Sequence, residues 1–204
     1  MREAAVESLE QRLLRTVGDN DIFRPQDVGK QGISRTSLKR LHEQGLVERV
    51  GRGLYRVAFS GISEYQSFIE ATKRVPRSVV CLLSALRFHE LTTQNPSSVW
   101  LAIDRKAWLP RTDGPPLQVV RFSGRALTEG VEAHVLGSTE VRIYSPAKTV
   151  ADCFKYRNKI GLDVALEALK DCVEKKRASY DEIWKYAKIC RVSNVIRPYL
   201  ESLG

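Results

Sequence analysis

Apolar and polar positions recur at two different periods in the first quarter of the chain, and the switch between them predicts the elements. Ile33, Leu38 and Leu41 share one side of a helix, whereas Thr36, Lys39, Arg40 and Glu43 fall on the other at 3.6-residue spacing. Ser34 is suited to cap the helix N-terminus, because its hydroxyl accepts from the free amides of the first turn. Gly45 stops the helix where a left-handed residue is wanted. The period then shortens to two. Residues 46–50 and 54–57 are expected as strands, joined across Gly51-Arg52-Gly53, where glycine permits a tight hairpin.

Upstream, Val6, Leu9, Leu13, Leu14 and Val17 form a helical stripe within residues 2–17. Residues 19–22 form a polar turn. Phe23 and residues 24–28 open a short second helix with Pro25 in its first turn, where the missing amide costs nothing. Gly29 and Gly32 bracket Lys30 and Gln31 as the turn between this helix and the next, a place where Lys30 meets a phosphate. Helix, helix, hairpin in this order is a winged helix-turn-helix.

Beyond it the pattern predicts a helix over 64–74, ended by Pro76, and a buried helix over 78–91, which is apolar nearly all round. Ser84 within it is expected to bond its own backbone. Strands follow at 99–103, 117–122, 131–135 and 141–144, the last two turned by Gly137-Ser138. The loop 104–116 is basic and proline-rich. It carries Trp108 among Arg105, Lys106 and Arg111, either a surface excursion or a partner contact. From Ser145 the chain is helical: through Tyr156, then 162–176 with Val164, Leu166, Leu169 and Val173 as its stripe, then 180–189 and 195–203. The expected class is α+β, an N-terminal winged helix-turn-helix followed by a larger C-terminal domain with a small, mostly antiparallel sheet and several helices. The domains are expected at 1–60 and 61–204, with the boundary somewhere in 58–76.

Composition narrows the function. The 204 residues suit two modules of about 60 and about 140. A hydrophobic content of 43% supports packed cores. A net charge of +9 favours a polyanionic partner. The charge is concentrated: between Arg24 and Val57 eight basic residues face three acidic ones, a local net charge of +5. Lys30, Arg35, Thr36, Lys39 and Arg40 on the helices, with Arg49, Arg52 and Arg56 on the hairpin, are what such a module offers to DNA. The helix enters the major groove and the wing lies over the backbone or minor groove.

The four cysteines, Cys81, Cys153, Cys172 and Cys190, are far apart and lie in apolar runs, which points to buried free thiols and no metal site. His42, His89 and His134 are equally scattered. No apolar run of about 18 residues exists and the N-terminal residues are charged, so a cytoplasmic location is expected.

Three stretches carry a family resemblance: GISRTSLKRLHEQGLVERVGRGLYRV, VVCLLSALRFHELTTQNPSSVWLAI and YSPAKTVADCFKYRNKIGLDVALEALKDC, with RPYLESL near the end. Together they resemble the AbiEi antitoxins of bacterial abortive-infection AbiE (type IV) toxin-antitoxin systems. The resemblance implies an N-terminal domain that binds inverted repeats in its own operator and represses its operon. It also implies a C-terminal domain that neutralises a nucleotidyltransferase-type toxin without a stable complex. The positions it implies for that second role are Lys148, Thr149, Asp152, Tyr156, Arg157 and Lys159.

Two alternatives stay open on the residues alone. One is a winged-helix repressor whose C-terminal domain senses a ligand or dimerises, with no toxin. The other is a metal-dependent nuclease using Asp152, Glu167 and Asp171 with Lys148. Lys148 and Asp152 are four apart on one helix, the spacing of an ordinary ion pair, and no acidic pair on a strand accompanies them. The expectation is therefore no catalysis and no cofactor.

Overall fold

The computed structural model describes residues 8–17, 22–58, 65–108, 115–137 and 139–203. Parts of several expected elements lie outside these residues: the start of the first helix, most of the turn at 19–22, the crossing after Ala58, Arg111 and its loop, and Ser138. The described residues fall into two compact units. The first lies within Met1–Arg74, Pro110–Pro115 and Val135–Glu140, the second within Val75–Leu109, Pro116–His134 and Val141–Gly204.

The first unit contains α1 (Leu9–Val17), β1 (Ile22–Phe23), α2 (Pro25–Gly29), α3 (Arg35–Glu43), β2 (Val47–Gly51), β3 (Leu54–Val57) and α4 (Gln66–Arg74). Ser34 caps α3, its hydroxyl accepting from the Ser37 amide at 3.0 Å. At the other end the Leu46 amide reaches back to the Leu41 carbonyl at 2.9 Å, and Gly45 between them sits at φ +73°. A β-carbon at Gly45 would meet nothing within 4 Å, so Gly45→Ala carries the backbone penalty alone. It is expected to cost about 1 kcal/mol in denaturant unfolding. An alanine variant as stable as the parent would rule out the left-handed cap.

β1 is a departure from the expected turn. Ile22 and Phe23 pair antiparallel with Arg56 and Tyr55, giving a three-stranded sheet of order β1-β3-β2. Both residues are buried, and the Phe23 ring stacks on Tyr55 at 6.2 Å between centroids. Leu13, Val17, Phe23, Val28, Ile33, Leu38, Leu41, Val47 and Val57 form the core of the unit. α4 fastens onto the same sheet through its last turn. Lys73 donates to the Ile22 carbonyl, Arg74 donates to the Val50 carbonyl at 2.7 Å, and the Lys73 carbonyl accepts from Arg24.

The second unit is built on β4 (Val79–Val80), α5 (Leu82–Phe88), β5 (Val99–Asp104), β6 (Leu117–Phe122), α6 (Arg125–Thr128), β7 (Val131–Leu136) and β8 (Thr139–Tyr144). α7 (Pro146–Lys155), α8 (Arg157–Ile160), α9 (Leu162–Glu174), α10 (Tyr180–Ile189) and α11 (Ser193–Glu201) follow. The class is α+β, as expected. The five-stranded sheet, order β6-β5-β4-β8-β7, mixes directions more than a string of hairpins would: β4 and β5 are antiparallel, whereas β4 with β8 and β5 with β6 are parallel.

β4 corrects the expected single helix over 78–91. Val79 and Val80 belong to the sheet, and the helix begins only at Leu82. Leu82 itself is at φ +45°, in the left-handed region, which makes the strand-to-helix turn sharp. The Ser84 hydroxyl accepts from the Trp100 amide of β5 at 2.9 Å, a bond to the neighbouring strand where one to its own backbone was expected. Ser145 caps α7, which is buried along nearly its whole length, with α5, α9 and α10 packed against it. All four cysteines are free and buried.

Candidate nucleic-acid interface

Helical spacing turns Leu38 and Leu41 of α3 into the core and leaves Arg35, Thr36, Lys39 and Arg40 exposed. In the wing, side chains alternate between faces, and the register sets Arg49 opposite Tyr55 and Glu48 opposite Arg56. Val47, Arg49, Tyr55 and Val57 therefore share the face turned to α3, and Glu48 and Arg56 share the other. An irregularity follows between Arg49 and Gly51, and Arg52 stands exposed at the tip.

These elements enclose a groove of about 490 Å³ lined by Arg24, Pro25, Gln26, Arg35, Leu38, Arg49, Arg52, Gly53 and Tyr55. Among the described residues its ionisable lining is cationic apart from the Tyr55 phenol: four guanidiniums and no carboxylate. Arg24 is fixed in place twice. Its amide donates to Asp27 at 2.8 Å, and its guanidinium is held by the Lys73 carbonyl at the C-terminal end of α4, where a helix favours a cation.

The expected contact residues divide on this geometry. Arg35, Arg49 and Arg52 line the groove. Lys30, Thr36, Lys39 and Arg40 are exposed outside it, and Lys39 lies 3.7 Å from Glu43 on its own helix. Arg56 is on the opposite wing face, paired with Glu48 at 2.7 Å. Arg24 joins the group although the motif does not single it out. In the sequence it shows only as the first of the eight basic residues and by its place just before Pro25, at the entry to a helix.

In the second unit the six positions implied by the resemblance separate into interior and surface. Lys148, Thr149 and Asp152 are wholly buried on α7. The Lys148 ammonium lies 2.7 and 2.6 Å from the two Asp152 oxygens, and the Cys190 thiol lies 3.2 Å from Oδ1. Burial pushes the Asp152 carboxyl above its usual range, against the opposing pull of Lys148 and Cys190. The ammonium also sits 4.0 Å from the Tyr144 ring centroid and 4.7 Å from that of Phe122. The Thr149 hydroxyl donates to the Tyr144 carbonyl.

Tyr156 is half-buried, and burial moves its phenol up to about 12. Arg157 donates to the Phe154 carbonyl at 2.9 Å. Lys159 is exposed, 5.1 Å from the Trp100 ring centroid. Trp108 is 79% exposed.

The carboxylates of the nuclease alternative are each engaged with a different partner. Asp152 holds Lys148, Asp171 pairs with Lys175 at 2.6 Å, and Glu167 accepts from the Thr93 amide and hydroxyl. Among the described residues no group of three or more His, Cys, Asp and Glu is placed to hold a metal ion. No helix among them is long and apolar enough to cross a membrane.

No curated protein matches the chain. Residues 11–58 match the model of the family described as "Transcriptional regulator, AbiEi antitoxin", a segment that runs from α1 through β3 and contains every lining residue of the groove. Over this winged-helix segment the chain is similar to the AbiEi antitoxin transcriptional regulators, the family its motifs resemble.

Proposed function

We propose that the protein is a DNA-binding transcriptional autorepressor and the antitoxin of a toxin-antitoxin operon, neutralising a partner nucleotidyltransferase-type toxin. The observation that carries the DNA half is the cationic groove between α3 and the wing, where guanidiniums from α3, β2, the hairpin tip and the entry to α2 converge with no carboxylate among the described residues. The antitoxin half is supported by the family match.

In this reading Arg49, Arg52 and Lys30 meet phosphates and supply affinity through counterion release. Arg35, Thr36, Lys39 and Arg40 read base edges in the major groove of an operator with inverted repeats. Arg52→Ala should weaken binding to cognate and random duplexes alike and flatten the dependence of log affinity on log salt by about one unit. Arg56→Ala, which removes a partner of Glu48 on the other wing face, should leave the slope unchanged. Titration of an operator fragment at several salt concentrations checks both. If Arg52→Ala matches the parent in affinity and slope, the wing is not a phosphate contact.

The antitoxin half is tested separately. Growth arrest by a nucleotidyltransferase-like toxin encoded beside this gene should be relieved by co-expressing the full chain. Failure of rescue, with operator binding intact, would leave the chain a repressor without a toxin.

A further inference from the structure

The second unit carries a recess of about 740 Å³ that takes in only Tyr156 of the residues given a role above. It lies where β6 ends, bounded by the turn after β5, by α6, and by the C-terminal ends of α7 and α10. Among the described residues six cations line it, Arg105, Arg121, Arg125, Lys155, Lys188 and Arg191, all exposed, and no carboxylate does. Phe122, Ala126 and Ile189 supply apolar wall, and Tyr156 stands beside them.

Lysines in the last turn of a helix are common because the helix end is partly negative, which accounts for Lys155 and Lys188 taken singly. It does not account for six cations converging on one concavity. Arg121 is held in position by three carbonyls, with its Nη1 2.8 Å from Ala107 O, 3.0 Å from Arg105 O and 3.3 Å from Asp104 O. Among the described residues no carboxylate pairs with that guanidinium. Among the described residues Arg125 alone of the six reaches a carboxylate, that of Glu129 on its own turn.

We propose that this recess binds a compact oligophosphate, the phosphate chain of a nucleotide or a free polyphosphate. The volume is that of a small-ligand site, in the range of about 300–1,000 Å³. Arginine and lysine side chains from separate elements give the multidentate, charge-assisted hydrogen bonds that contiguous phosphates require. A DNA duplex fits less well. Its phosphates are spread along a convex surface, roughly one per 3.4 Å of axis on each strand, so few of them enter a recess together. An oligophosphate brings several charges in one group.

The site goes beyond the proposed regulatory role and leaves the groove arginines untouched, so either can fail without the other. The test is calorimetric titration of the full chain, without magnesium, with adenosine, AMP, ADP, ATP and tripolyphosphate. Affinity should rise with the number of contiguous phosphates, and adenosine should give no saturable heat. ATP binding tighter than tripolyphosphate would identify a nucleotide as the source; equal affinity would identify the phosphate chain itself. Lys155→Glu with Lys188→Glu, both exposed, should weaken tripolyphosphate more than tenfold while duplex affinity stays as in the parent. Lys155→Arg with Lys188→Arg should retain binding, which excludes a folding defect at these positions.

Absence of saturable binding by every phosphate probe, or equal binding by the charge-reversed variant, would overturn the proposal. So would a loss of duplex affinity in that variant with tripolyphosphate affinity unchanged, which would give the recess to nucleic acid.

Discussion

Asp152→Ala is expected to destabilise the protein by about 3–5 kcal/mol, because it leaves the Lys148 amino group buried without its partner carboxylate. Neither side chain has exposed surface, so water cannot take over the lost contacts. The rings of Tyr144 and Phe122 remain against the ammonium, but such contacts contribute only about 1–2 kcal/mol. Against a typical net stability of about 5–15 kcal/mol this is a large fraction. In a chain of this size it corresponds to a fall of roughly 6–20 °C in Tm.

Removing both charges should be far milder. Lys148→Met with Asp152→Leu replaces the pair by apolar groups of similar volume and is expected to recover most of the loss, since exchanging a whole buried pair is often neutral. Thermal unfolding of the parent, single and double variants reads the difference. A single variant within about 2 °C of the parent would mean that the pair is open to solvent. Gly130 explains how Lys148 comes to lie there: at φ +73°, it passes so close that a β-carbon would stand 2.7 Å from Lys148 Cβ.

Reversing two charges in the first unit should have the largest functional effect. Arg35→Glu with Arg52→Glu removes two cations of the groove and sets carboxylates where the proposed interface meets phosphate. Like-charge juxtaposition costs several kcal/mol, more than a hundredfold in affinity. Both side chains are exposed and Arg35 follows the Ser34 cap without taking part in it, so the fold should be unchanged. In a mobility-shift titration the variant should fail to retard operator at concentrations that saturate with the parent, while circular dichroism and Tm match. Full operator binding by the variant would move the nucleic-acid surface elsewhere. Because the substitutions leave the second unit alone, toxin relief by this variant would also separate the two halves of the proposed function.

Much of the first unit was legible because its signals are local. The Ser34 cap, the stripe of Leu38 and Leu41 and the Gly45 stop each act within a few residues, and the structure has α3 at Arg35–Glu43. β1 was not legible. Two residues, Ile22 and Phe23, form a strand only because β3 lies beside them, and no period can show in two positions. The same limit hid β4: in SVVCLL every residue is buried on all sides except half-buried Leu83, so a strand and a helix share one apolar pattern.

The groove was legible in part. Arg35 and Arg52 follow from the helix and the hairpin tip, but the face to which Arg49 points depends on pairing register, and Arg24 depends on α4 holding it. The interior placement of Lys148 and Asp152 was hidden for another reason: a charged residue in an amphipathic stretch is ordinarily taken as solvated, and only the packing of neighbouring helices around α7 reverses that.

The grip of α4 on the wing sheet has a practical consequence for dissecting the molecule. Arg24, Ile22 and Val50 each spend a backbone or guanidinium group on Lys73 and Arg74, so a fragment ending just after the hairpin would strip three polar groups of these partners. A fragment carried through Arg74, past the end of the matched segment, keeps all three contacts.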